Sequence, residues 1–184
     1  MNEQADLVLF EIEEKMEKSV HAMLHDFSSI RTGRANPALL DSLVVEYYGV
    51  DSPVKQIASI SVPEGNQLYV KPFDRSLLKK IETAIQASSL GLQPQNDGIG
   101  IRLVLPQLTT ERRKELSKQA EKLSEHGKVA IRNLRRDANE QIKKIGLTED
   151  SEHGYIEDVQ TLTDTYIQKI EQATKTKIEE IMAI

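Results

Sequence analysis

The chain has no cysteine and no tryptophan, and only three of its 184 residues are phenylalanine. Each shortage removes a class of chemistry. Without thiols there is no disulfide, no thiolate nucleophile and no cysteine-based zinc site. With aromatics at 4% of the residues, a core must be filled by Leu, Ile, Val, Ala and Met, which suits packed helices better than an aromatic-filled sandwich. No apolar run is long enough to span a bilayer, so no membrane partner is expected. The opening Met-Asn-Glu-Gln-Ala-Asp lacks the basic start and apolar stretch of a secretory signal. A soluble protein of the reducing cytoplasm is the expectation.

Basic charge is also short overall, with a net charge of -5. Its distribution is uneven: residues 1–30 hold two basic and seven acidic side chains, and residues 147–184 hold three and nine. Residues 31–107 are near balance, whereas 109–146 carry eleven basic against six acidic. A lone basic segment between acidic ones points to one anionic partner met along one edge, with the acidic remainder discouraging indiscriminate RNA binding.

Apolar residues recur at Val8, Ile12, Met16, Val20, Met23, Phe27 and Ile30, spacings that predict a helix of about seven turns. Gly33 permits a positive φ and Asn36-Pro37 disfavours helix, so the chain is expected to turn there. Short β-rich runs follow at Leu43–Tyr48, Ile57–Val62 and Leu68–Lys71. Asp74 is placed to cap a helix through Leu77, Ile81 and Ile85, and a last strand, Gly100–Leu105, follows the Asn96-Asp97-Gly98 turn.

Beyond Pro106, the positions Leu116, Ala120, Leu123, Gly127, Ala130, Leu134, Ala138, Ile142 and Ile145 predict a helix of roughly 37 residues and 55 Å, closed by Gly146 in a left-handed cap. A third long helix reads through Tyr155, Val159, Leu162, Tyr166, Ile170, Ala173, Ile178 and Ile181. Three one-faced helices are stable only against one another. The expected fold is therefore α+β: an antiparallel three-helix bundle from residues 1–31 and 107–184, with a small β/α/β domain, 34–105, inserted through hinges at 31–37 and 105–108.

Catalytic motifs are wanting. His21 and His25 have the i, i+4 spacing of helical zinc ligands, but Ala22 stands where a zinc protease needs glutamate. His126 and His153 lack partners in sequence. Gly98-Ile99-Gly100 has no third glycine and no following helix, and no phosphate-binding Gly-Lys-Ser/Thr loop occurs. Glu13-Glu14 and Glu179-Glu180 diverge by about 100° around a helix, as solvated faces do. No metal, cofactor or enzymatic activity is expected. Tyr47 and Tyr48 alternate across a strand, leaving one free to stack on a base.

The strongest feature is Val129–Asn139. Lys128, Arg132, Arg135, Arg136, Asn139 and Lys143 fall within an arc of roughly 100° on the second long helix, beside the apolar stripe. Guanidinium forks match phosphate oxygens, so the row reads as a grip on a phosphate backbone. By composition alone, a solvated basic face, a general helical RNA-binding adaptor and a coiled-coil oligomer remain open.

Several separated blocks then narrow the choice. Ile30-Arg-Thr-Gly-Arg-Ala35, Val45-Glu-Tyr-Tyr-Gly49, Phe73-Asp-Arg-Ser76, Leu108-Thr109 with Glu111-Arg-Arg-Lys114, and Val129–Asn139 resemble, in order, the bacterial ribosome recycling factor family. That resemblance implies a three-helix bundle carrying a β/α/β domain in an L shape with about the dimensions of tRNA. It implies a monomeric, non-enzymatic translation factor that binds the post-termination ribosome. With elongation factor G, and GTP hydrolysis by that partner, such a factor dissociates the subunits for a new round of initiation. By the same resemblance Arg132, Arg135 and Arg136, with Lys128, contact large-subunit rRNA. Arg31, Thr32, Gly33 and Arg34 form a hinge together with Leu105 and Pro106, and Arg31 and Arg34 also touch RNA.

Overall fold

The computed structural model describes residues 2–183. They form two compact units, one made of residues up to Ile30 together with Glu111–Met182, the other containing Arg31–Thr110.

The first unit is a bundle of three helices, α1 (Glu3–Ser28), α4 (Thr110–Ile145) and α5 (Glu149–Met182). Helix α1 begins earlier than its apolar period, because the Asn2 side chain accepts hydrogen bonds from the Gln4 and Ala5 amides and so fixes the first turn. Helices α4 and α5 form an antiparallel hairpin. Gly146 adopts φ of 81° as the left-handed cap expected of it, and Thr148 Oγ1 accepts from the Ser151 amide to start α5. Helices α1 and α5 run parallel: Tyr155 donates its hydroxyl to Asp6 at 2.8 Å, and further along both helices Tyr166 donates to Glu17 at 2.8 Å.

The buried line of α4 is Leu116, Ala120, Ser124, Ile131, Ala138 and Ile142, while Leu123, Ala130 and Leu134 are only half-buried. The stripe therefore lies about 35° closer to the basic arc than the periodicity indicated. Ile131, next to Arg132, is fully buried; truncating such a side chain to alanine typically costs about 2–5 kcal/mol. On α5 the same shift puts Thr163 and Thr174 in the core in place of Leu162 and Ala173. Each threonine hydroxyl donates to the carbonyl four residues back, Val159 and Ile170, so burial leaves no donor unmet. Gly127 is a point of close approach: a Cβ there would lie 3.1 Å from Met23 Sδ and 3.4 Å from Ile170 Cδ1.

The second unit holds two antiparallel sheets. Strands β1 (Val44–Tyr47) and β2 (Val50–Pro53) form a hairpin; a single helical turn, α2 (Val54–Ile57), leads to the other sheet. That sheet has the order β3-β4-β6-β5, from β3 (Ala58–Ser61), β4 (Gln67–Pro72), β5 (Pro94–Asn96) and β6 (Ile101–Val104). Helix α3 (Leu78–Ala87) buries Leu78, Ile81 and Ile85 in a core shared with Leu68, Val70, Ile101 and Leu103. Asp74 caps the turn before α3, its carboxylate accepting from the Ser76 amide at 2.9 Å.

Strands β2 and β5 are additions to the sequence reading. Both are short, polar and proline-bearing, the composition of edge strands, which need no alternation of apolar residues. The hairpin turn has Tyr48 at φ of 51° and Gly49 at 76°, the positive pair a two-residue turn requires. At Gly100 the constraint is space: a Cβ would stand 2.5 Å from the ring of Tyr69.

Candidate nucleic-acid interface

The basic row occupies the seam where α4 meets α5, a placement fixed by the core. Ile131, Ala138 and Ile142 face inward, so Lys128 and Arg135, about 40–60° further round α4, emerge at that seam, and Arg132 and Arg136, about 100–140° round, lie on its solvent side. Lys128 Nζ lies 3.1 Å from Glu171 on α5, and Arg135 Nη1 donates to the side-chain carbonyl of Gln160, also on α5, at 3.2 Å. Gln160 in turn donates to Asp164 at 2.8 Å. Arg132 Nη1 reaches Glu125, two helical turns back on α4, at 3.3 Å. Arg136 is exposed and has no such partner among the described residues. The four cations thus differ: two face carboxylates, one a neutral amide, one water alone.

The Arg132–Glu125 pair is open to solvent and contributes little to folding, about 0–1 kcal/mol, while in the other pair Lys128 is half-buried and Glu171 exposed. The contacts of the row leave guanidinium N–H groups free, since Arg132 and Arg135 each use a single terminal nitrogen here. Asn139, in the same arc, is half-buried with its Oδ1 unpartnered.

At the junction of the units Arg34 is exposed, whereas Arg31 is half-buried with Nη2 out of solvent and without a hydrogen-bond partner. One expectation about this segment is corrected. Gly33 does not use a positive φ; that conformation occurs at Gly49, Gly91, Gly98 and Gly146, where the chain reverses or a helix ends. Leu105, at the other crossing, has its side chain buried in the smaller unit's core, and its amide donates to the Asn66 carbonyl at 2.8 Å.

Of the two candidate stacking tyrosines, Tyr48 is 83% exposed, and Tyr47 is half-buried with its hydroxyl donating to Asp74. Burial and the carboxylate push the Tyr47 hydroxyl up from its ordinary value. His21 turns to Glu17 and His153 to Glu157, each a solvent-exposed i, i+4 pair. No group of side chains suited to a metal ion occurs among the described residues, and no helix among them is long and apolar enough to cross a membrane.

Sequence reading missed Glu125, Gln160, Asp164 and Glu171. A signal for one of them was present: in an antiparallel hairpin turning over residues 146–148, reflecting Arg135 through the middle of the turn lands at position 159, next to Gln160.

Fold and seam define a class, a helical bundle with an inserted β/α/β unit that displays a row of arginines along one edge. The family model for ribosome recycling factor matches residues 23–182, and the chain belongs to that family of translation factors. It is similar to the ribosome-recycling factor of Acholeplasma laidlawii, 63% identical over 184 residues with both chains fully covered. It is also similar to that of Thermosynechococcus vestitus, 54% identical over 180 residues, covering 96% of this chain and 99% of the relative. A solution structure of the ribosome recycling factor superposes with a TM-score of 0.81 at 39% identity, both chains fully covered. A second match, at TM-score 0.68 and 40% identity, covers 98% of this chain and all of the other. It comes from models of the T. thermophilus ribosome recycling factor and the E. coli elongation factor G bound to the E. coli post-termination complex.

Proposed function

We propose that this chain recycles ribosomes: it binds the post-termination complex and, with elongation factor G and that partner's GTP hydrolysis, separates the subunits in the cytoplasm. It acts as a monomer and catalyses no reaction itself. The observation that carries this reading is the arginine row on a continuous helix of 36 residues. A helix of that length, braced on two sides, holds Arg132, Arg135 and Arg136 at fixed spacings over about one helical turn. Such a row can take successive phosphates of one RNA strand, and large-subunit rRNA is the proposed ligand. Lys128 extends the row, and Arg31 and Arg34 add contacts at the junction.

The mechanical part of the proposal rests on the two chain crossings. Residues 31–34 and 106–109 carry no regular structure, while Leu105 and Ala35 are tied by backbone hydrogen bonds to the smaller unit. Arg31, Thr32, Gly33, Arg34 and Pro106 are thus the proposed pivot, about which the smaller unit turns when the GTPase presses on it. The energy is the partner's.

The deciding experiment is a subunit-dissociation assay on post-termination ribosomes, with and without elongation factor G and GTP. Splitting that requires the factor, the GTPase and GTP together is the expected result. A chain that anneals free RNA and leaves ribosomes intact would refute the reading.

A further inference from the structure

The cations of the row are not equally available. Lys128 and Arg132, at the end nearer the middle of α4, each face a carboxylate at 3.1 and 3.3 Å. Beside them α4 and α5 enclose a groove of about 470 Å³ whose walls set Glu121, Glu125, Glu171 and Glu179 against only Lys128 and Lys175. Carboxylates thus outnumber cations around that groove, whereas Arg135 has an uncharged amide as its partner and Arg136 has none among the described residues. An RNA backbone approaching at random meets two uncompensated guanidiniums, then carboxylates that repel its next phosphates. A target with phosphates already fixed at the spacing of Lys128 and Arg132 can displace both carboxylates, because exposed pairs are weak and easily exchanged.

We propose that Glu125 and Glu171 are specificity-determining residues for the RNA-binding seam: by holding Arg132 and Lys128 they withhold half of the row from unstructured or unrelated RNA. The inference rests on the arginine row being the rRNA contact. The carboxylates lower affinity for every RNA, but they lower it most where the phosphates are not pre-arranged, so discrimination rises as a difference of affinities.

The test compares the full chain with its Glu125→Gln, Glu171→Gln and double variants for binding to a short RNA duplex of arbitrary sequence and to vacant ribosomes, each over a range of salt. These near-isosteric changes at exposed positions preserve the fold, which circular dichroism verifies. Each single variant should tighten duplex binding about threefold at low salt and the pair about tenfold. The duplex salt dependence should steepen by up to about one unit of slope for each cation released. Ribosome affinity should rise too, because each pair broken on binding is a cost the variants no longer meet, but by less than about twofold per pair, since such pairs are weak and the freed carboxylates no longer face phosphates there. Glu14→Gln, which breaks the ion pair with Lys18 on α1, serves as the control and should leave duplex binding unchanged.

Unchanged duplex binding in the double variant overturns the proposal. So does a parallel rise on duplex and ribosome, or an equal effect from Glu14→Gln. Failure of the underlying reading shows separately, as arginine-to-alanine variants that bind ribosomes at full strength.

Discussion

The hydroxyl of Tyr166 on α5 donates to the carboxylate of Glu17 on α1 at 2.8 Å, and Lys169 places its ammonium 4.5 Å over the same ring and 3.6 Å from the same carboxylate. This is where the parallel pair of helices is locked in register. Tyr166 is otherwise buried, so its ring belongs to the core while its oxygen reaches the edge.

That contact makes stability depend on pH at both extremes. Burial, then the Glu17 carboxylate, push the Tyr166 hydroxyl up to about 12, so the folded chain holds this proton more tightly than the unfolded one. Its contribution is intact below the ordinary tyrosine value of about 10 and is lost as pH rises toward about 12. The hydrogen bond from Tyr166 is the largest cause holding Glu17 below its ordinary value. The Glu17 contribution is therefore present above the ordinary glutamate range and lost as pH falls through the lowered value. Tyr166→Phe should flatten both limbs of a plot of urea midpoint against pH; an unaltered profile would mean the bond has no weight.

For the row itself, Arg135→Ala and Arg136→Ala should each weaken ribosome binding by about 1.5–3 kcal/mol, the range of charge-assisted contacts, and lower the salt slope by about one. Arg132→Ala should cost less, because Arg132 must first leave Glu125. Equilibrium binding to vacant ribosomes at several salt concentrations measures all three. Equal and negligible losses would remove the seam as the RNA contact.

Two glycines inside the long helices should respond in opposite ways to alanine. Gly154 in α5 has open space around a built Cβ, so Gly154→Ala should raise stability by roughly 0.5–1 kcal/mol through helix propensity alone. At Gly127 the same gain is offset by crowding against Met23 and Ile170, and the variant should be neutral or less stable. Thermal unfolding of both variants beside the parent decides it.

Gly100→Ala tests the smaller unit. The added methyl would meet the Tyr69 ring, which donates its hydroxyl to Asp97 at 2.9 Å across the turn. Displacing the ring breaks that bond, and overpacking of this kind costs about 1–3 kcal/mol. Hydrogen exchange should show the loss in β4 and β6 while the α4 and α5 amides stay protected.

What the sequence determined by itself is whatever repeats along the chain. Helical periods gave the three bundle helices, Gly146 gave the turn between two of them, and Asn96-Asp97-Gly98 gave the turn before the last strand. Local chemistry is enough there, because capping and turn preferences act within a few residues. The row Arg132, Arg135 and Arg136 was equally legible, since i, i+3 and i+4 share a face whatever the surroundings. Tertiary structure decided how far that face lies from the core, because the buried line of α4 depends on where α5 packs; hence Ile131 and Ser124 are inside and Leu123 is not. It also decided that Leu105 is anchored, and it chose a partner for each cation. Glu171 and Gln160 meet Lys128 and Arg135 only because the hairpin folds back, a relation between distant residues that no local period encodes.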